Sequence, residues 1–200
     1  MNNSVNGYVH LNQCSQFSLN EIGGKGQNLA NLASSDFPVP EGIIIPITTY
    51  EQYVNKKSIQ QKLSNILNSI NYEDEKDIEE KSNQIKKYIL DISLNSSLKQ
   101  NIVNSLRKIN NYGLWAVRSS AAAEDLPEAS FAGQQDSFLN ISAGNVPNFI
   151  KNCWASYWNK RAISYRHNNN IAHLPGGIAV VIQRMVNAEK SGVLFTTDPR

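Results

Sequence analysis

The chain reads LWAVRSSAAAEDLPEASFAGQQDSFLNI from Leu114 to Ile141, and this stretch decides the fold. Its first four residues are apolar and suit a buried strand, which delivers Arg118 and two serine hydroxyls at its end. A loop of small residues follows, and the alternating run from Asp136 to Ile141 predicts a second strand. Small residues let a backbone approach a ligand closely, and a guanidinium pairs well with phosphate oxygens. The stretch by itself therefore predicts a phosphate site at a strand end.

Composition and charge narrow the class of protein. Two hundred residues with 40% apolar content are enough for one domain, or two small lobes, with a sizeable core. A formal net charge of +2 with dispersed lysines argues against nucleic acid as a partner. The first residues lack the basic and apolar regions of a signal peptide, and no apolar run reaches the length of a membrane span. We therefore expect a cytoplasmic protein that binds neither nucleic acid nor membrane.

The cysteines and histidines do not predict a metal site. Cys14 and Cys153 are far apart and lack metal-ligand spacing, so we interpret them as unpaired structural thiols, as in a reducing compartment. His167 and His173 flank an asparagine run that is typical of a loop, and neither has a carboxylate or cysteine partner at ligand spacing.

Residues 23–26, Gly-Gly-Lys-Gly, form a second candidate phosphate element, which we call the glycine loop. Helical spacing of apolar residues follows it, as in Leu29 and Leu32. Glycines at a helix start expose free N–H groups, which favours anions, and Lys25 adds a positive charge. The spacing GxxxxGK[ST] is absent, so this is not a Walker-type loop. From the pattern alone, a surface turn with a solvated lysine remains the alternative.

Most of the remaining chain predicts packing and no chemistry. Residues 37–42 suit an extended connection, and residues 43–45 suit a buried strand. Residues 51–110 carry three apolar stripes with helical spacing, which predicts three amphipathic helices separated near Asn71 and Asn95.

The last third of the chain predicts two helices and a hairpin. Residues 146–157 place aromatic side chains at helical spacing, as expected of a core helix. The basic run at 160–167 continues in helical register, and its cations either face phosphate or lie on a solvated surface. Residues 177–186 and 191–198 have the composition of two strands joined by a charged turn.

Three segments carry a resemblance to a known family. They are residues 117–141 (VRSSAAAEDLPEASFAGQQDSFLNI), residues 22–46 (IGGKGQNLANLASSDFPVPEGIIIP) and residues 176–199 (GGIAVVIQRMVNAEKSGVLFTTDP). Together they resemble the nucleotide-binding domain of phosphoenolpyruvate synthase, pyruvate phosphate dikinase and the rifamycin phosphotransferases. The resemblance covers the chain except residues 51–110, where only the helical pattern is similar.

The resemblance implies an α+β fold, namely the first lobe of an ATP-grasp nucleotide-binding domain with a helical insertion and a C-terminal β-hairpin. In these terms residues 1–200 are a partial domain of the pyruvate phosphate dikinase type. Residues 51–110 are then its helical segment, and residues 177–198 are a hairpin that joins an absent second lobe.

The resemblance also implies roles for individual residues. Lys25 and Arg118 match the residues that contact phosphate and serve catalysis. Gly133 and Ser137 match positions beside the phosphates. The adenine positions correspond to Gln183 and to the backbone of Met185 and Val186, although a purely structural sheet edge would give the same pattern.

The implied cofactors are ATP and Mg²⁺. The metal ligands of the family lie beyond residue 200, and we do not assign Glu124, Asp125 or Asp198 as magnesium ligands. The implied partners are the nucleotide and either the missing C-terminal domains or a partner chain that supplies them. We expect no turnover from these 200 residues alone.

Three functions stay open from the sequence. The first is the ATP-binding portion of a dikinase most similar to phosphoenolpyruvate synthase, which converts ATP, pyruvate and water to phosphoenolpyruvate, AMP and phosphate. The second is a fragment of a rifamycin-type antibiotic phosphotransferase. The third is a half-domain that binds nucleotide and catalyses nothing.

Overall fold

A five-stranded antiparallel sheet carries the helices of this protein. The computed structural model describes residues 7–121 and 136–192, together with the backbone of residues 125–126 and 129–130. The strands are β1 (Val9–His10), β2 (Gly42–Ile45), β3 (Leu114–Ser120), β4 (Asp125–Leu126), β5 (Ala129–Ser130), β6 (Ser137–Ser142) and β7 (Ala179–Arg184). The helices are α1 (Leu19–Ser34), α2 (Ile47–Val54), α3 (Lys57–Asn68), α4 (Glu75–Leu90), α5 (Ser96–Ile109), α6 (Val146–Ser156) and α7 (Lys160–Asn168), with a 3₁₀ helix at Leu11–Gln16. This mixture of helices and sheet confirms the predicted α+β class.

The sheet has the strand order β1-β2-β7-β3-β6. β7 lies at its centre because its run of β-branched residues is buried on both faces, and Val180 lies opposite both Ile45 of β2 and Ser119 of β3. The prediction of strands at 43–45, 114–117, 136–141 and 177–186 is confirmed to within a few residues. Residues 193–198, most of the second strand of the predicted hairpin, lie outside the described residues.

A β-bulge shapes the edge strand β6. Trp115 lies opposite Ile141, but Val117 lies opposite Phe138, so β6 contains one more residue than β3 over this interval. Asn140 sits in the bulge with φ 59°, a left-handed conformation that asparagine tolerates better than most residues. The bulge restores the register in which Ser137 lies opposite Arg118.

Helices α2–α7 pack on one face of the sheet, which we call the helical face. Its cluster includes Trp115 of β3, Trp154 of α6 and Trp158, all 0% exposed, and it extends through α3, α4 and α5. The three helices predicted for residues 51–110 are confirmed, and so is the packing role of the aromatic helix at 146–157.

A smaller cluster forms on the opposite face, which we call the α1 face. There α1 and the 3₁₀ helix cover Ile44 of β2 and Val181 of β7. Cys14 is buried in this cluster, and burial raises the pKa of its thiol to about 12. Cys14 and Cys153 are both free thiols, as predicted.

Arg166 fits neither interpretation of the basic run at 160–167, which placed its cations at a phosphate or on a solvated surface. The structure buries its side chain to 3% exposure on α7, so it is not part of a solvated surface. Its guanidinium lies over the Tyr157 ring at 4.1 Å and donates to the Tyr157 carbonyl at 2.9 Å. Its Nε donates to His173 Nδ1 at 3.1 Å, and His173 Nε2 lies 3.0 Å from the Tyr72 hydroxyl. Aromatic rings and a histidine therefore replace water around this cation.

Candidate functional site

The glycine loop is a sharp bend inside α1. The helix begins at Leu19, earlier than the sequence predicted, and Gly23 interrupts it with φ 72° and ψ 173°. Residues other than glycine rarely adopt this conformation. The bend divides α1 into two helical segments, so the loop does open a helical segment as predicted.

The prediction that the loop exposes free N–H groups is wrong for two of its residues. The Gly24 N–H donates to the Ala121 carbonyl at 3.0 Å, and the Gly26 N–H donates to the Ser120 hydroxyl at 3.1 Å. These donors are consumed because the bend packs directly against the end of β3: a Cβ added to Gly23 would lie 2.2 Å from the Ser120 carbonyl oxygen. The loop therefore offers Lys25, and not these two N–H groups, to a ligand.

Arg118 lies two residues before this junction and shares the α1 face. It pairs in register with Val181 of β7, whose side chain belongs to the α1 cluster, and directly opposite residues point to the same face. On its other side Arg118 pairs with Ser137 of β6, which is exposed. The guanidinium of Arg118 and the hydroxyl of Ser137 are therefore neighbours on one face.

Charges of both signs act on the buried Cys153 thiol of α6. Burial raises the pKa of the Cys153 thiol well above its usual range, Asp136 raises it further, and Lys25 lowers it. Asp136 also ties β6 to β3, because its carbonyl accepts hydrogen bonds from the Ser119 N–H at 3.3 Å and the Ser119 hydroxyl at 3.1 Å.

Gln183 lies on the same face as Arg118, farther along β7. It pairs with Ala116 of β3 and Gly42 of β2, two positions from Val181, or roughly 7 Å along the strand. Its side-chain amide donates to the Pro40 carbonyl at 3.1 Å, which fixes the amide orientation.

Met185 and Val186 follow the end of β7. The Met185 N–H donates to the Leu114 carbonyl at 2.9 Å and so extends the sheet. Val186 is 58% exposed, and its carbonyl accepts a hydrogen bond from the Ala188 N–H at 3.0 Å. A ligand at Met185 would therefore meet its carbonyl and not its N–H.

The structure thus brings together two groups of predicted residues along one sheet face. The loop that holds Lys25 meets the end of β3 near Arg118 and Ser137, and Gln183 lies farther along β7, on the way to Met185 and Val186. Gly133 and the side chains of Glu124, Asp125 and Asp198 lie outside the described residues.

Sequence reasoning placed the Ser120 hydroxyl at this strand end but gave the residue no individual role in the site. Ser120 is 0% exposed, and its hydroxyl donates to the Ile22 carbonyl at 2.9 Å while accepting from Gly26. The signal was the pair Ser119-Ser120 at a strand end, because adjacent strand residues point to opposite faces and only one of the pair can face α1.

The described part of the site is suited to binding an anion. It places Arg118 and the Ser137 hydroxyl at one strand end, beside the loop that holds Lys25. Within residues 7–121 and 136–192 no group of three or more His, Cys, Asp or Glu side chains could hold a metal ion. Over the same residues, no helix is both long and apolar enough to cross a lipid bilayer.

Comparison with known proteins identifies the family. The model of the pyruvate phosphate dikinase AMP/ATP-binding domain matches residues 19–200. This chain belongs to that family, and it is an ATP-binding portion of the kind found in such phosphotransferases.

Individual relatives agree with this assignment. A probable phosphoenolpyruvate synthase of Methanothermobacter thermautotrophicus is 42% identical over 183 residues, which cover 88% of this chain and 27% of the relative. A rifampicin phosphotransferase of Bacillus cereus is 43% identical over 180 residues, which cover 89% of this chain and 21% of the relative. A probable phosphoenolpyruvate synthase of Staphylothermus marinus is 36% identical over 199 residues, which cover 96% of this chain and 24% of the relative. The chain thus spans about a quarter of the length of these relatives.

Proposed function

We propose that this chain binds ATP as the nucleotide-binding portion of a dikinase-type phosphotransferase similar to phosphoenolpyruvate synthase. The observation that carries the proposal is the junction at the end of β3, where Arg118 lies opposite Ser137 and the loop holding Lys25 is hydrogen-bonded two to three residues farther on. Phosphoryl transfer needs positive charge held around the phosphates, because its transition state spreads negative charge over the equatorial oxygens. Arg118 at this strand end and Lys25 on the loop bonded to it would meet that need.

The proposed roles follow the two groups on the face. Lys25 and Arg118 bind the phosphates and stabilise the charge that develops during transfer, with Ser137 and Gly133 beside them. The purine lies farther along β7, near the Gln183 side chain and the Met185 carbonyl, with Val186 bordering it. An amide and a backbone carbonyl can recognise the hydrogen-bonding edge of a base, and the bond from Gln183 to Pro40 supports this role because it holds the amide in one orientation.

We propose that ATP binds with Mg²⁺. The metal accepts six oxygen ligands and keeps several waters, so the nucleotide phosphates can supply much of its coordination. Ser137 places a hydroxyl oxygen next to the proposed phosphate position, which fits a hard cation. The magnesium would neutralise phosphate charge, while Lys25 and Arg118 orient the phosphates.

We propose that additional domains or a partner chain cover the α1 face. Apolar side chains stand exposed on and next to it: Leu114 is 44%, Leu139 56% and Val186 58% exposed. These exposed side chains support cover by C-terminal domains or by a partner chain. We expect those parts to provide the acceptor site, so that the whole assembly converts ATP, pyruvate and water to phosphoenolpyruvate, AMP and phosphate. This chain alone would bind nucleotide without turnover.

An antibiotic phosphotransferase is the second candidate. The Bacillus cereus relative, named a rifampicin phosphotransferase, is as similar to this chain as the probable phosphoenolpyruvate synthases are. Both candidate functions use the α1 face to bind nucleotide in the same way, and they differ in the molecule that accepts the phosphoryl group. Sequencing the gene beyond codon 200 and measuring the intact mass against 22.3 kDa separate them from each other and from a half-domain that only binds nucleotide.

Calorimetric titration with ATP and with adenosine tests the nucleotide site. Arg118→Ala should weaken ATP binding by about 1.5–3 kcal/mol, the usual contribution of hydrogen bonds to a charged group, and leave adenosine binding unchanged. Lys25→Ala should act in the same direction. Arg107→Ala, at an exposed position near the end of α5, is the matched control and should change neither affinity.

Two outcomes would contradict the assignment. Unchanged ATP affinity in Arg118→Ala would remove the guanidinium from the phosphate site. Equal losses of ATP and adenosine binding in Lys25→Ala would mean that this lysine supports the fold and does not contact phosphate.

A further inference from the structure

Ser120 occupies the gap that the glycine bend opens in α1. In a regular helix the N–H of residue 26 would donate to the carbonyl of residue 22. The bend at Gly23 breaks this bond, and the Ser120 hydroxyl is inserted between the two groups. It donates to the Ile22 carbonyl at 2.9 Å and accepts from the Gly26 N–H at 3.1 Å. A side chain of β3 thus replaces one helical hydrogen bond of α1.

This insertion fixes the backbone on both sides of Lys25. The N–H of Gly24 is bound to the Ala121 carbonyl, and the N–H of Gly26 is bound to Ser120. The peptide units that flank the lysine are therefore anchored to the strand that carries Arg118. Burial of Ser120 to 0% exposure excludes water as a competitor for these bonds.

Ser119 provides a built-in comparison. It is 1% exposed, and its hydroxyl also bonds a backbone carbonyl, that of Asp136 at 3.1 Å. It neighbours Ser120 in the same strand but points to the opposite face, away from α1. The two serines are thus matched in burial and in donating to a backbone carbonyl, and they differ in whether they contact the glycine loop.

We propose that Ser120 is a positioning residue of the phosphate site: its hydroxyl sets the direction in which Lys25 leaves the bend, so that the ammonium meets the phosphates together with Arg118. Ser120 itself does not contact the nucleotide. This inference rests on the proposed function, because it gives Ser120 a role only if Lys25 binds phosphate.

The test compares ATP with adenosine across a double-mutant cycle. Ser120→Ala should weaken ATP binding about tenfold, as expected for the loss of one well-placed charge interaction, and change adenosine binding less than about twofold. In a Lys25→Ala background the same substitution should have no further effect on the ratio of ATP to adenosine affinity, because the two residues act through one contact. Ser119→Ala should leave the ratio unchanged in both backgrounds.

The result that overturns the inference is an equal loss of ATP and adenosine binding in Ser120→Ala, or an additive effect in the Lys25→Ala background. If Ser120→Ala does not fold, Ser120→Cys decides by the same ratio, since a thiol keeps the volume and hydrogen-bonds weakly. A wild-type chain that binds ATP no better than adenosine would refute the proposed function. A wild-type preference for ATP that Ser120→Ala leaves intact would refute this inference alone.

Discussion

The two faces of the sheet differ in what their residues do. The helical face buries three tryptophans and most of the aliphatic side chains of α3–α6. The α1 face holds a small cluster under α1 and then presents Arg118, Ser137 and Gln183. Apolar area removed from water dominates stability, whereas partly exposed polar groups are available to a ligand. Stability and recognition should therefore respond to substitutions on different faces.

The largest expected effect is on the helical face. Trp154 is 0% exposed and meets the Tyr50 ring edge-on at 5.6 Å. Trp154→Ala should lower the free energy of unfolding by about 3–5 kcal/mol, because it removes a large buried side chain and leaves a cavity. Urea denaturation measures this loss. At temperatures where the variant is folded, its ratio of ATP to adenosine affinity should match that of the wild type. A changed ratio would contradict the assignment of stability and nucleotide recognition to different faces.

A substitution at the bend should affect both properties. Gly23→Ala places a Cβ at a residue with φ 72° and 2.2 Å from the Ser120 carbonyl oxygen. The left-handed conformation alone should cost about 1–3 kcal/mol of stability, and relief of the clash should move α1 away from β3. We expect a lower denaturation midpoint together with a reduced ATP preference. Gly144→Ala is the control, since nothing lies within 4 Å of an added Cβ there. Similar behaviour of both variants would show that the bend is unimportant.

The smallest expected effect is a pH dependence confined to the helical face. Burial, followed by the charges of Arg166 and His167, lowers the pKa of His173 from 6.5 to about 4. Between these values the unfolded chain binds a proton that the folded chain excludes, so stability present above pH 6.5 is lost as the pH falls towards 4. The loss should be about 1 kcal/mol because His173 is partly solvated.

Urea midpoints between pH 7 and 4.5 measure this dependence. Wild-type stability should fall more steeply over the interval than that of His173→Gln, whereas Gly144→Ala, which adds no titratable group and no close contact, should follow the wild type. Parallel curves for the wild type and His173→Gln would remove His173 as the cause. Nucleotide preference should be the same in all three proteins.

Local periodicity explains why much of the fold was predictable. The stripes of residues 51–110 and the alternation from Asp136 to Ile141 are set by neighbours in the chain, and the structure places helices and strands there. The early start of α1 also had a local signal, because Ser18 and Glu21 form a capping box with the spacing S-x-x-E.

The remaining features depend on contacts between distant residues. Ser120 meets residues 94 and 98 positions away, and no periodicity encodes such a pair. Arg166 is an exception to the rule that charged side chains stay solvated. Its partners are the Tyr157 carbonyl, the Tyr157 ring and His173, and only the folded chain brings them together. The positions of Lys25 and Arg118 at one strand end were expected from family resemblance and not from spacing.

The hydroxyl inserted into α1 also has a kinetic consequence. The bend has no partner for its broken hydrogen bond until β3 is in place, and closing a loop of more than 90 residues is a slow, entropically costly step. We expect the Lys25 segment to order after the transition state for folding. Ser120→Ala should therefore speed unfolding and leave the refolding rate nearly unchanged in stopped-flow experiments. Slower refolding would place this junction in the folding nucleus instead.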